Sequence, residues 1–254
     1  MHKSPIQSLF IGSKLVKLPS CHSTNRVVSD LLSDNKAAHG TVVITNNQTN
    51  GKGQRGNKWE SEPGKNLTFS VLIKPSFLPI SKQFELTVVT SLALVKTLES
   101  LGLPAVWVKW PNDIYTSGGK IAGILIENVV RANQLEWTIL GIGLNVNQME
   151  FEVTGATSVK KELGVESDLK LVLDKLLKQL NHYYQLAKLG QLEKLRELYT
   201  KSLMGVDQLR MYKDVTSGTK FPGVIQRVTT DGRLVIRSGE QDLVFDFKQL
   251  EFSN

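Results

Sequence analysis

A single cysteine, Cys21, is all that this 254-residue chain contains, so no disulfide bond can form within it. Such scarcity favours a reducing compartment. No apolar run approaches the roughly 20 residues that a membrane-spanning helix needs, and residues 1–5 do not lead into the long apolar stretch of a signal peptide. We therefore expect a soluble, cytoplasmic protein that does not bind a membrane.

The charge is unbalanced but has no dense cluster. The chain carries 31 lysines and arginines against 24 aspartates and glutamates, a net charge of +7. A basic chain suggests anionic partners, whereas lysines scattered without a run of five or more are typical of a solvated surface. No helix-turn-helix or zinc-finger pattern is present. A nucleic-acid-binding module is kept as a competing hypothesis on charge alone.

Hydrophobic periodicity predicts a main domain followed by a small β-rich one. Strands are predicted at 14–18, 41–45, 67–73, 105–110, 121–126 and 134–140, and helices from Ser23 onward, over 81–101, over 168–188 and then to about 202. After Met204 four short alternating strands follow, near 208–216, 219–228, 232–237 and 242–247. These patterns predict domains at residues 1–204 and 205–254, the second a β-barrel.

Glycines 51, 53 and 56 match G-x-G-x-x-G literally. The dinucleotide-binding version of this pattern needs a helix directly afterwards and an acidic residue about 20 positions on. Here Pro63-Gly64 follows and Lys74 stands near the acidic position, so that fold is rejected. No Gly-Lys pair is followed by Ser or Thr, which excludes a Walker A loop. Phosphate binding and an ordinary flexible basic loop both remain open.

Lys120 begins the apolar run at 121–126, directly after a Gly118-Gly119 turn. It is either a solvated residue at the strand mouth or a charge directed into a cleft. Upstream, Pro111 ends a strand and leaves Asn112 and Asp113 at its tip. Two further features have two interpretations each. Ser23 either caps a helix or faces a ligand, and the glycines at 141 and 143 mark either a bulge or a close ligand approach.

Four blocks of sequence together resemble biotin–protein ligases. They are residues 51–59 (GKGQRGNKW), 109–113 (KWPND), 120–127 (KIAGILIE) and 141–146 (GIGLNV). The blocks occur in the family's order with similar gaps, and the resemblance extends from about Ser23 to the C-terminus. It implies an α+β fold: a mixed sheet with helices mainly on one side, like the class II synthetase catalytic domain, plus a C-terminal SH3-like β-barrel.

The resemblance also implies a reaction. Biotin and ATP, with Mg²⁺, form biotinyl-5′-adenylate, and the biotinyl group passes to a lysine of a biotin carboxyl carrier domain of a biotin-dependent carboxylase. Larger relatives begin with a helix-turn-helix repressor domain, for which no room precedes the strand at 14–18, so we expect no DNA binding. A homodimer is left open.

By the same resemblance, Lys120 and Arg55 are catalytic, with Lys120 reaching both the biotin carboxyl and the α-phosphate. The biotin-binding residues are Ser23, Thr24, Asn25, Gln48, Gly51, Lys52, Gly53, Gln54, Lys120, Gly123, Ile124, Leu125, Gly141 and Gly143. The ATP-binding residues are Lys52, Arg55, Trp59, Asn112, Asp113, Lys120 and Asn145, with Trp59 on adenine and Asp113 a partner of Mg²⁺.

One departure and two further alternatives accompany this assignment. Many relatives carry Arg where this chain has Gln54, so Arg55 or Lys52 would have to take over the adenylate contact. A lipoate–protein ligase resembles the same fold and reaction but would need a long apolar tunnel. A structural or adaptor barrel fused to an inactive ligase is the third possibility, besides the nucleic-acid-binding module.

Overall fold

The computed structural model describes residues 10–252, except for the side chain of Arg55. The signal-peptide expectation at residues 1–5 lies outside this range. The helices are α1 Thr24–Ser33, α2 Glu85–Ser100, α3 Val159–Leu163, α4 Leu169–Lys188 and α5 Leu192–Lys201. The strands are β1 Lys14–Leu18, β2 Thr41–Thr45, β3 Leu67–Ile73, β4 Trp107–Lys109, β5 Asp113–Thr116, β6 Gly119–Arg131, β7 Gln134–Leu144, β8 Arg210–Asp214, β9 Lys220–Val228, β10 Leu234–Ser238, β11 Gln241–Phe245 and β12 Leu250–Phe252.

Within that range, seven strands form a mixed sheet in the order β1-β2-β3-β7-β6-β5-β4. Only β1 and β2 run parallel, and the other neighbours are antiparallel. Strand β7 pairs with β3 and β6 along most of its length. The mixed sheet of the predicted α+β class is therefore confirmed, and β3, β7 and β6 form its centre.

One face of the sheet holds the main apolar core. Alternate side chains of β3 (Leu67, Phe69, Val71 and Ile73) are buried there together with α2. Helix α2 is apolar on most sides because it lies between the sheet and α4. Burying each large aliphatic or aromatic side chain contributes about 1.5–3 kcal/mol. This face supplies most of the hydrophobic stabilisation.

On the opposite face, helix α1 packs on β2, β3 and β7. Val28 of α1 packs with Val43, Leu72 and Ile139 in a small second cluster. The helices thus lie mainly on one side, as predicted, with α1 as the exception. Beyond this cluster, the face carries mainly polar side chains and glycines, with Leu125 as an aliphatic residue among them.

Several predicted boundaries were wrong. The helix expected over 81–101 begins at Glu85, because Pro79 is followed by a 3₁₀ turn at Ile80–Lys82. The strand expected to end at position 140 continues to Leu144 through its glycines. The strand expected over 105–110 is limited to Trp107–Lys109, and the apolar run at 121–126 is only the centre of a longer strand.

Three elements were not predicted, and the first is strand β5, four residues long, which begins at Asp113 where only a strand tip was expected. Helix α3 is only five residues long, too short for a periodic pattern. The helix is stabilised by its two caps. At its start Ser158 Oγ accepts from Lys161 N at 3.2 Å, and at its end Gly164 adopts a φ of +74°. Strand β12 is a three-residue strand next to β8.

A second, antiparallel sheet follows, in the order β11-β10-β9-β8-β12. Trp110, at the end of β4, joins it to the main sheet. Its Nε1 donates to Gly232 O at 2.9 Å, and its ring lies 5.3 Å from that of Phe247. A β-rich C-terminal unit was therefore correctly expected, while the boundary after residue 204 and an SH3-like closure stay predictions. None of the described helices has the length and apolar character to span a bilayer.

Candidate functional site

A cavity of about 180 Å³ opens on the glycine-bearing face of the main sheet. The start of α1, the centre of the sheet, the loop at 51–59 and the turn between β4 and β5 enclose it. Its lining includes the predicted site residues Ser23, Thr24, Asn25, Gln48, Lys52, Gly53, Gln54, Trp59, Asn112, Asp113, Lys120, Gly123, Ile124, Leu125, Gly141 and Gly143. Residues from distant parts of the sequence are thus brought together around one space.

Three predicted site residues are placed differently. Gly51 lies beside the cavity at the base of the loop, where its carbonyl accepts from Trp59 N at 3.0 Å. Asn145 follows the end of β7, and its Nδ2 donates to Thr157 O at 3.0 Å. Its Oδ1 is buried with no partner among residues 10–252. Arg55 belongs to the 3₁₀ turn Gln54–Gly56, but its side chain lies outside the described part of the chain.

One end of the cavity is polar. The backbone N–H of Thr24 donates to Gln48 Oε1 at 2.9 Å, and the hydroxyl groups of Thr24 and Ser70 lie 2.6 Å apart. Ser23 occupies the N-cap position of α1, but its side chain makes no capping hydrogen bond. Of its two interpretations, the capping one was therefore wrong, and its hydroxyl is free to face the cavity that it lines.

The two glycines in β7 permit close approaches to the sheet. A Cβ on Gly141 would lie 2.4 Å from Asn25 Oδ1, and one on Gly143 would lie 2.2 Å from Trp59 Cε2. Both distances are too short for non-bonded atoms. β7 pairs regularly with β3 through both positions. These glycines therefore do not form a bulge. The close approach seen here is that of the Asn25 and Trp59 side chains, and approach by a ligand stays a prediction.

The other end of the cavity is cationic. Lys120 Nζ lies 2.7 Å from Asp113 Oδ1, and the two side chains are 32% and 28% exposed. The interpretation of Lys120 as a charge directed into a cleft is therefore correct. Lys52 and Lys58 of the loop also line the cavity, as does Lys248 from the turn between β11 and β12. Asp113 is the acidic side chain among the described lining residues.

Two contacts fix the turn that presents Asp113. Asn112 Nδ2 donates to Ile124 O at 2.6 Å, and the backbone N–H of Ile124 donates to Asn112 O at 3.2 Å. Behind the turn, the Tyr199 hydroxyl donates to Pro111 O at 2.6 Å. Burial raises the pKa of Tyr199 well above its usual value, so its phenol keeps the proton that it donates.

The loop at 51–59 is a compact turn against the sheet. Gly53 N donates to Asn57 O at 2.7 Å, and Gly56 adopts a φ of +89° that favours glycine. The Trp59 ring closes the loop over Gly143 and Gly123. Its Nε1 is buried with no partner in the described range, and Lys120 Nζ lies 5.9 Å from its ring centre.

Sequence reasoning missed several residues of this region. Thr68 lines the cavity, and Ser70 is fully buried behind it. Their signal was present, since two hydroxyl residues alternate with large apolar residues along a buried strand. Glu127, within a quoted block, was given no role, yet its Oε2 accepts from Asn25 Nδ2 at 2.6 Å. Lys248 gave no local signal, because only the docking of the second sheet brings it to the cavity.

The arrangement combines two kinds of recognition in one space. Hydroxyl and amide groups at the polar end can bind a neutral polar ring, and the amines at the other end can neutralise anions. A ligand with a polar ring at one end and a carboxylate at the other could span the cavity, with its carboxylate near Lys120. A second anion under the glycine loop would meet the same positive charge, so the site suits a reaction between two mutually repelling acids.

The chain is similar in sequence to proteins of known families. Residues 18–145 match the model of the Biotin/lipoate A/B protein ligase family. The Bifunctional ligase/repressor BirA of Bacillus spizizenii is 31% identical over 172 residues, which are 66% of this chain and 52% of that protein. The chain thus spans about half the length of this relative.

Two further proteins are covered almost completely. The Biotin--[acetyl-CoA-carboxylase] ligase of Mycobacterium tuberculosis is 27% identical over 247 residues, 94% of this chain and 90% of that protein. The structure of the biotin protein ligase from Aquifex aeolicus in complex with biotin and ATP has a TM-score of 0.79 and 25% identity, and covers 95% of this chain and 100% of that one. With a family model that matches half of its residues, the chain belongs to the biotin/lipoate A/B protein ligase family.

Proposed function

We propose that this protein is a biotin–protein ligase that activates biotin with ATP and transfers it to a lysine of a biotin carboxyl carrier domain. One observation carries the proposal: Lys120 lies in the same cavity as the hydrogen-bonding end at Thr24 and Gln48 and the glycine loop at 51–59. The Mycobacterium tuberculosis relative and the Aquifex aeolicus structure, both named as biotin ligases, support the choice of substrate.

In the first step, a carboxylate oxygen of biotin attacks the α-phosphorus of ATP. An oxygen–phosphorus bond forms, the bond to the leaving pyrophosphate breaks, and biotinyl-5′-adenylate results. Two anions must approach each other, so the Lys120 amine lowers the barrier by stabilising charge that develops between them. Asp113, 2.7 Å from Lys120 Nζ, holds the amine in place.

Mg²⁺ commonly binds through one or two carboxylates together with substrate phosphates. Asp113 fits this pattern as the carboxylate that lines the cavity. When bound, the ion would neutralise phosphate charge. Lys52 and Arg55 would contribute positive charge on the loop, and one of them would replace the arginine that many relatives carry at Gln54. Trp59 would contact adenine, and Asn112 and Asn145 would serve the nucleotide.

In the second step, the amine of a carrier lysine attacks the biotinyl carbonyl carbon. An amide bond forms, AMP leaves, and the amine loses a proton. The mixed anhydride is reactive toward water, so the loop at 51–59 has a protective role when it closes over the ligand. A biotin carboxyl carrier domain is the proposed partner, and a homodimer and a cytoplasmic location stay predictions.

The test is incubation with biotin, ATP, Mg²⁺ and a purified carrier domain, followed by intact mass measurement of the carrier. We expect the carrier to gain one biotinyl group, and to gain none when ATP is omitted or when its acceptor lysine is replaced. An unmodified carrier would reject the proposal.

Three further measurements separate the competing functions, and the first is isothermal titration with biotin and with lipoate. The polar groups of Thr24, Gln48 and Ser70 favour a ring that can form hydrogen bonds, so biotin should bind more tightly than lipoate. A preference for lipoate would select the lipoate ligase. Tight, salt-sensitive DNA binding without biotin transfer would select the nucleic-acid module. Absence of biotin-dependent pyrophosphate release from the unmodified protein, with no further change in Lys120→Ala, would select an inactive, adaptor-like role for this site.

A further inference from the structure

Four side chains, from Thr24 to Glu127, form a continuous series of hydrogen bonds at the polar end of the cavity, and the backbone N–H of Thr24 joins Gln48 to it. In order, the four are Thr24, Ser70, Asn25 and Glu127. Gln48, Thr24 and Asn25 line the cavity. Ser70 is fully buried behind them, and Glu127 is exposed to solvent at the far end. The series therefore connects a surface carboxylate to the ligand-binding space.

The carboxylate sets the direction of the first bonds. An ionised carboxylate only accepts hydrogen bonds, so the nitrogen of the Asn25 amide must face Glu127, where Nδ2 and Oε2 are 2.6 Å apart. Asn25 Oδ1 then faces Ser70 Oγ, also at 2.6 Å. Since an amide oxygen only accepts as well, the single hydroxyl proton of Ser70 is donated to Asn25.

The same direction continues to the cavity. Ser70 has used its proton, so it can only accept across the 2.6 Å contact, and Thr24 must donate to it. The longer contact of 3.4 Å between Thr24 Oγ1 and Gln48 Oε1 therefore receives no proton. Gln48 Oε1 accepts instead from the backbone N–H of Thr24 at 2.9 Å. Its Nε2 is left as the donor.

The geometry points to Ser70 and Glu127 as positioning residues that fix the direction of the Thr24 hydroxyl and so the group that it offers to the ligand. With the bonds directed this way, the Thr24 hydroxyl offers an oxygen acceptor. Gln48, which is oriented separately by the backbone N–H of Thr24, offers an N–H donor beside it. This pair is complementary to a ring N–H and a carbonyl, the groups of a cyclic urea. The inference rests on the proposed function, because that urea is the ring of biotin. The dithiolane ring of lipoate has neither group.

A double-mutant cycle tests whether Ser70 acts through Thr24. Ser70→Ala, Thr24→Val and the double variant are made in the full chain, and the affinity for biotin is measured by isothermal titration. Losing one such bond should weaken biotin binding about tenfold in each single variant. In the Thr24→Val background, Ser70→Ala should add less than about twofold, because the hydroxyl that it orients is gone. The KM for ATP should not change.

Glu127→Ala tests the exposed end, where a substitution does not endanger folding. A water molecule that replaces the carboxylate can donate or accept, so the direction is relaxed and biotin binding should weaken about threefold. Glu127→Gln keeps an accepting oxygen and should recover most of this loss. For the Ser70→Ala variant, Ser91→Ala is the matched control. Ser91 in α2 is as fully buried as Ser70, and its hydroxyl has no partner among the described residues.

Two outcomes would overturn the inference while leaving the proposed function intact. In the first, Ser70→Ala weakens biotin binding equally in both backgrounds, or raises the KM for ATP as strongly as it weakens biotin. In the second, Thr24→Val leaves biotin affinity unchanged while carrier biotinylation continues. Failure of the unmodified protein to bind biotin at all is a different outcome. It would overturn the proposed function itself, and with it the ligand on which this inference rests.

Discussion

The two faces of the main sheet are built from the same strands for different purposes. On β3, Phe69 and Val71 point into the apolar core, while Ser70 between them belongs to the series of hydrogen bonds that links Thr24 to Glu127. On β7, Leu140 and Ile142 are in the core, while Gly141 between them admits Asn25. Side chains alternate along a strand, so one short segment serves both faces.

This difference separates stability from function. The core face is filled with large side chains, so removing one leaves a cavity. The site face is formed by small and polar residues whose value lies in the space and the hydrogen bonds that they provide. Substitutions on the two faces should therefore affect different measurements.

The largest expected effect is on the core face. Phe69 is fully buried, and Phe69→Ala should lower the free energy of unfolding by about 3–5 kcal/mol. Thr68→Ala, one position earlier on the site face, should cost only about 1 kcal/mol. Urea denaturation measures both, with Phe69→Leu as a milder variant if the alanine variant does not fold. Equal losses at the two positions would remove the distinction between the faces.

Lys120→Ala should have the largest effect on the reaction. By analogy with loss of one oxyanion-hole donor, adenylate formation should slow by about 10²–10³. The midpoint of thermal unfolding should hardly move, because the ion pair with Asp113 is partly exposed. Lys160→Ala is the control, since Lys160 is 29% exposed and lies 3.2 Å from Glu166. Comparable slowing in both variants would contradict a special role for Lys120.

The core face also contains a carboxylate. Burial raises the pKa of Glu85 from 4.5 to about 7, and the charges of Arg196 and Lys82 only partly oppose this. Because the folded pKa is the higher one, the unfolded chain loses this proton first. The stabilising contribution is complete below about pH 4.5 and is lost as the pH rises to about 7, by about 3 kcal/mol.

Glu85→Gln cannot titrate at this position and therefore serves as the reference. The difference in the free energy of unfolding between the unmodified protein and this variant, measured from pH 4 to pH 8, should fall across that interval. A difference that stays constant with pH would show that the carboxyl is not perturbed by its burial.

The smallest of these effects tests the glycines. In Gly143→Ala the new Cβ would lie 2.2 Å from Trp59 Cε2, whereas in Gly123→Ala it would lie 3.1 Å from Trp59 Cζ3. An overpacking penalty of about 1–3 kcal/mol at Gly143 should lower kcat/KM for biotin about tenfold or more. Gly123→Ala should lower it less. A reversed order would show that the Trp59 contact does not shape the cavity.

Parts of this picture could be predicted because their signals are local. The limits of β1, β2 and β3 follow from short apolar runs, and the blocks around Lys120 and Gly141 identify the site through their resemblance to a family. Helix α3 and strands β5 and β12 were missed because elements of three to five residues have no period to detect. The direction of the hydrogen bonds between Glu127 and Thr24 could not be predicted from the sequence either, since Glu127 lies 102 positions from Asn25.

The sequence by itself determined the alternation of large and small residues, the positions of glycines, and the supply of amines and amides. These properties are set by residue type and by spacing along one strand or helix. Only the tertiary structure decided which of them meet. Pairing of β7 with β3 and β6 brings Ser70 and Glu127 into the hydrogen bonds behind the cavity, and docking of the second sheet brings Lys248 to the cavity lining. Hydrogen bonds and charge interactions act between atoms within a few ångströms, whatever their separation in the sequence.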